Sequence, residues 1–120
     1  MAIYKGESLK VIFTAYNESG ATVDTSAYTK AVNVFTDYSE AILPTVTVID
    51  TNSFSISLSP TETLAMVKGE LIAVVSFTLS GTVRLCRVKI GDLIDPAEEE
   101  GASGISIDSG IIDIPLTFKS

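Results

Sequence analysis

Apolar and polar residues alternate along this chain with a period of two, in runs of five to ten residues broken by turn-forming clusters every eight to fifteen. That texture predicts short strands in a sandwich or barrel. In Ser8 to Ala15, Leu9, Val11, Phe13 and Ala15 fall on one face with Lys10 and Thr14 on the other, and Asn17 to Gly20 supply a turn. Lys30 to Thr36 reads as the second strand, after an Asp24, Thr25, Ser26 cluster suited to a turn capped by its own side chains. Thr45 to Asp50 and Ser53 to Ser59 flank Thr51-Asn52 and predict a hairpin, with Phe54, Ile56 and Leu58 alternating with serines. Glu70 to Leu79 is apolar on both faces, as a central strand requires, and Ser80-Gly81 joins it to Thr82 to Ile90 in a second hairpin.

One stretch has a different period. Leu58 to Leu71 reads LSPTETLAMVKGEL, and Ser59, Pro60 and Glu62 form a capping box with proline at the first helical position. Leu64, Ala65 and Met66 favour helix, Lys68 complements the carboxyl-end dipole, and Gly69 suits the residue after the end. A short crossover helix from Ser59 to Gly69 is expected, with Leu64 and Val67 on one face plugging an open end of the sandwich.

The alternation stops after residue 91. Three units follow: a β-sandwich domain over 1–91, an acidic linker over 92–104, and an apolar strand or arm over 105–120. Within the last, Ile105, Ile107, Ile112, Ile114, Leu116 and Phe118 carry the apolar alternation. Pro115 lacks an amide hydrogen and restricts this run to a sheet edge or an extended arm. So apolar a run must lie on its own domain, a neighbouring copy or another protein.

Charge sharpens this division. The net charge is −7, and residues 91–120 hold seven acids against Lys119, whereas residues 1–90 are close to neutral. Nucleic acid is not an expected partner, because phosphate binding needs concentrated Lys and Arg. No apolar run reaches membrane-span length, and the opening residues, with Lys5, Glu7 and Lys10, do not read as a signal peptide, so neither a membrane nor an export route is expected.

The candidate chemistry is sparse. Absence of histidine removes Ser-His-Asp and Cys-His nucleophilic systems and the common zinc sites. The eight glycines are scattered, so no phosphate-cradling loop is present. Cys86 reads as a small half-buried hydrophobe. Asp92, Asp95 and Glu98 to Glu100 match no calcium-loop spacing and read as a solvated linker. Tyr4, Tyr16, Tyr28 and Tyr38 come from separate segments and are read as edge or core aromatics rather than a binding surface. No enzyme, cofactor or metal is expected.

The YKGES lead-in to the first amphipathic strand, the DTSAY turn, and LSPTETLAMVKGEL followed by AVVSFTLSGTVRLCRVKI together resemble small β-sandwich virion proteins of tailed phages. The parallels are the N-terminal domain of phage baseplate upper proteins and small structural proteins of crAss-like phages. Leu58, Ser59, Glu62, Thr63, Gly69 and Leu71 stand at the positions that carry the resemblance, which covers residues 3 to 90. It implies an Ig-like antiparallel β-sandwich with one short crossover helix and an extended C-terminal arm. The implied role is a non-enzymatic structural subunit assembled in the host cytoplasm: an auxiliary or decoration protein of the capsid, or a head-fibre or tail adaptor. Its partners would be the major capsid protein, fibre or tail subunits, or further copies in a homo-oligomer or lattice. Ile105, Ile107, Ile112, Ile114, Leu116 and Phe118 would make the contact. The alternative is a carbohydrate- or receptor-binding module of a tail or baseplate, with Tyr16, Tyr28 and Tyr38 exposed at one end; an exported adhesin-like domain is less favoured.

Overall fold

The computed structural model describes residues 2–95 and 111–119. Its elements follow the period-two runs closely: β1 (Ala2–Tyr4), β2 (Leu9–Asn17), β3 (Thr29–Phe35), β4 (Thr47–Val48), β5 (Ser53–Leu58), α1 (Pro60–Ala65), β6 (Gly69–Leu79), β7 (Thr82–Ile94) and β8 (Ile111–Phe118). The chain is mostly β, and its strands form two four-stranded sheets ordered β1-β7-β6-β3 and β4-β5-β2-β8.

Alternation explains why the sheets stack. Leu9, Val11, Phe13 and Ala15 of β2 and Phe54, Ile56 and Leu58 of β5 turn inward from one sheet. They meet Val32 and Val34 of β3 and Leu71, Ala73, Val75 and Phe77 of β6 from the other. Aromatic rings bridge the layers: Phe54 lies 5.3 Å from Phe13 within its own sheet and 5.8 Å, edge to face, from Phe77 opposite. Such contacts add roughly 0.5–1.5 kcal/mol to the area they bury.

Turn chemistry fixes the registers. Ser80 and Gly81 both have positive φ (50° and 81°), as a type I′ hairpin turn requires, and Leu79 pairs directly with Thr82. The Asn17 side chain accepts from the amides of Ser19 and Ala21, both at 3.0 Å, and closes the turn after β2. Asp24 Oδ1 accepts from the Ser26 amide at 2.9 Å and its hydroxyl at 2.6 Å, which holds the Asp24 carboxyl below its ordinary range.

Three expectations change. First, the sheets are mixed: β1 runs parallel to β7 and β8 parallel to β2, while the remaining ladders are antiparallel. Strands from the two ends of the chain reach the edges of the sheets without a hairpin to reverse them. Second, the C-terminal strand is no free arm. β8 pairs with β2 over eight residues, from Lys10 with Ile111 to Asn17 with Phe118. Asp92 to Ile94, read as the start of a linker, are the last residues of β7 and pair with β1.

Third, the helix is shorter than expected and a different face covers the core. The capping box forms as read, with the Ser59 amide donating to Glu62 Oε1 at 2.9 Å and the Glu62 amide to Ser59 Oγ at 3.1 Å. The helix ends at Ala65, and Met66 is already extended (φ −76°, ψ 148°). Early termination turns Leu64 and Val67 outward (61% and 41% exposed) and sends Thr63 and Met66 into the interior instead. Thr63 Oγ1 accepts from the Gly6 amide at 3.0 Å and donates to the Glu7 carbonyl at 2.8 Å, fastening α1 to the β1–β2 turn. Gly6 occupies that turn at φ +91°, where only glycine sits without strain.

Candidate protein interface

The two sheets separate along one side of the molecule, where the hairpin half of β7 faces the second half of β8. Between them lies a cleft of about 550 Å³. Phe77, Leu116 and Phe118 form its apolar floor, with the Phe77 and Phe118 rings 4.9 Å apart. Arg84, Cys86 and Val88 line it from β7 and Lys119 from the residue after β8, with Cys86 and Val88 packed against the core.

Hydrogen-bond parity defines the rims. A two-residue type I′ turn makes Leu79 and Thr82 a hydrogen-bonded pair, so Thr82, Arg84, Cys86 and Val88 direct their backbone groups to β6. The N–H and C=O groups of Val83, Leu85 and Arg87 therefore point away from the sheet. Among the described residues β1 covers β7 only from Asp92 to Ile94, so these groups form a free edge. On the other side, the Ala15 amide donates to the Asn52 carbonyl on the β5 flank, so Ile12 and Thr14 face β8 and, in parallel register, bond Ile112, Ile114 and Leu116, which leaves Asp113, Pro115 and Thr117 facing out. Pro115 has no amide to offer and Asp113 is charged, so the β8 edge is blunted. The β7 edge has no such proline.

Side chains around that edge are apolar and basic in alternation. Val83 and Leu85 are 56% and 70% exposed on the outer face of β7. The Arg87 guanidinium lies 5.6 Å from the Phe35 ring centre on that face, a cation–π contact that holds it in place. Lys89 is engaged elsewhere, donating to Glu70 at 3.3 Å and pairing with Asp92 at 3.1 Å, and those carboxylates raise its pKa. Burial pushes the Cys86 thiol above its ordinary value, which keeps it protonated and slow to react.

Of the residues expected to contact a partner, Ile105 and Ile107 lie outside the described residues. Ile112 and Leu116 are core residues of this chain, 8% and 1% exposed, and Ile114 and Phe118 pack against the same core half-buried. Their strand offers a partner its cleft-facing side and no apolar arm. Glu98 to Glu100 also lie outside the described residues. Tyr28 packs between Phe77 and Phe118, and Tyr38 is 78% exposed. Tyr28 precedes β3 and Tyr38 follows it, so a seven-residue strand of about 23 Å separates them and they make no common aromatic surface.

Sequence reasoning did not single out Val83, Arg84, Leu85 and Arg87. The signal was present in TVRLCRVKI, where three basic residues interrupt an apolar strand that carries no acid. No described helix is long and apolar enough to cross a membrane. Comparison with known proteins finds no family model and no curated protein that matches this sequence.

Proposed function

We propose that this chain is a non-enzymatic structural subunit of a tailed-phage particle, an auxiliary or decoration protein of the capsid or a head-fibre or tail adaptor. In this reading it docks on the major capsid protein or on fibre or tail subunits. The observation that carries the proposal is the β7 edge that the described residues leave free, with its exposed Val83 and Leu85, opening onto a cleft with an apolar floor. An unpaired strand edge is a template for another chain, and an edge this long and apolar is a docking surface or a liability.

The strand order supports an Ig-like sandwich as the scaffold. Reading β2, β5 and β4 as strands B, E and D and β3, β6 and β7 as C, F and G is compatible with the immunoglobulin division into two sheets, with α1 between the strands read as E and F. β8 takes the place beside B that strand A fills in that fold, and runs parallel where A would run antiparallel. The residues that carry the virion resemblance have structural tasks here: Ser59 and Glu62 cap α1, Thr63 fastens it, and Leu58 and Leu71 are core.

The test is co-sedimentation of the purified chain with phage particles assembled without it. Saturable binding at a fixed number of copies per particle is expected, with loss of binding for Leu85→Asp, a surface change that leaves the fold intact. Absence of saturable binding by the wild-type chain overturns the proposal.

A further inference from the structure

Which partner chemistry suits the β7 edge follows from its charges. Thr82 to Ile90 contains Arg84, Arg87 and Lys89 and no acid, in a chain of net charge −7. Lys89 is satisfied by Glu70 and Asp92, and no described carboxylate pairs with Arg84 or Arg87. Lys119 lines the cleft below. A second copy is a poor occupant, because antiparallel pairing of this edge with itself gathers four arginines along two strands whose Thr82–Ile90 segments carry no acid to offset them.

We propose that the cleft between β7 and β8 receives an acidic, extended polypeptide segment of another protein, which adds as a strand to the β7 edge. The inference rests on the docking role proposed above and specifies its chemistry. Main-chain groups of the incoming strand pair with the outward N–H and C=O of Val83, Leu85 and Arg87. Arg84 and Arg87 lie three apart and so project from opposite faces of β7, one toward the cleft and one outward. The fitting segment therefore carries two carboxylates three residues apart, with apolar side chains between them to cover Leu85 outside and Phe118 inside.

Nuclear magnetic resonance titration of the full chain tests this with a capped heptapeptide, Thr-Glu-Val-Ile-Glu-Val-Thr, beside the same peptide with glutamine for each glutamate. Amide shifts are expected at Val83, Leu85 and Arg87, together with slower alkylation of Cys86. Loss of charge on either side, in the glutamine peptide or in Arg84→Gln/Arg87→Gln, is expected to weaken binding at least about fivefold. Leu85→Pro is expected to abolish binding while the rest of the spectrum stays native, since the amide it removes faces no neighbour. Shifts elsewhere, equal binding of the glutamine peptide, or no binding of the acidic one overturns the inference, and the arginines then serve only to protect the edge.

Particle co-sedimentation separates this failure from that of the docking role. Docking lost in Leu85→Pro but kept in Arg84→Gln/Arg87→Gln refutes the acidic chemistry alone. Docking kept in both refutes the edge as the site, and with it this inference, whereas the docking role itself falls only if the wild-type chain does not bind.

Discussion

Replacing Thr63 by valine removes one oxygen from the interior and leaves the side chain's shape unchanged. That oxygen is fully buried, accepts from the Gly6 amide at 3.0 Å and donates to the Glu7 carbonyl at 2.8 Å. Valine leaves both backbone groups without their partner. A fully buried orphan costs about 1–3 kcal/mol, but Gly6 and Glu7 lie at the surface, where water recovers part of the loss, so about 1–2 kcal/mol is expected. For a chain of this length the entropy of unfolding makes each kcal/mol worth about 4 °C, so the melting temperature should fall by about 4–8 °C. Thr63→Ser is the control: it keeps both hydrogen bonds and deletes a buried methyl, at a cost of about 1 kcal/mol. Amide exchange separates the two effects. Gly6 should exchange faster in Thr63→Val and at the wild-type rate in Thr63→Ser, measured beside thermal melts by circular dichroism. Wild-type Gly6 protection and melting temperature in Thr63→Val would refute the claim that this hydroxyl holds the helix to the turn.

Three further outcomes are expected. Leu116→Ala, deleting a β8 side chain that is 1% exposed, should cost about 2–5 kcal/mol in urea unfolding, and a loss below about 1 kcal/mol would mean that β8 is not part of the core. Ser80→Asn should raise the free energy of unfolding slightly, by about 0.5–1 kcal/mol, because asparagine tolerates the positive φ of a type I′ turn better than serine; destabilisation would contradict the turn assignment. Ser26 holds the folded-state pKa of Asp24 below 3.8, so its contribution is present above that value and lost as pH falls through the folded one. Asp24→Asn should therefore flatten the acid limb of the stability profile as pH falls through and below the ordinary aspartate range, and an unchanged limb would remove Asp24 from the acid response.

Local signals in the sequence were reliable wherever the physics was local. The alternation of Leu9, Val11, Phe13 and Ala15 names one face of β2, and all four are buried. Ser59 and Glu62 sit within one turn of each other, and their capping box forms as read. The helix terminus was less legible, because Leu64, Met66 and Val67 are equally apolar in sequence. Which of them turns inward depends on where the chain must enter β6, and Met66 is the one buried. The parallel placement of β8 was not legible either. Pro115 announced an edge, but which edge depends on β2 offering an open side to a strand a hundred positions away. The interface was visible only as an oddity, basic residues interleaved with Val83, Leu85 and Val88, until hairpin parity showed that this strand keeps an open edge.

The parallel pairing of β8 with β2 also sets the order of events in folding. Lys10 must wait for Ile111, and Asn17 for Phe118, so this ladder closes a loop nearly as long as the chain. The β4–β5 and β6–β7 hairpins join neighbours and can form early, whereas β2 has one complete flank and one vacant flank until the C-terminal strand arrives. During synthesis the first ninety-odd residues emerge with an apolar core open at that flank. The last strand is thus the closing step of maturation, and truncation upstream of Ile111 should yield a species prone to pairing with other chains before it can finish.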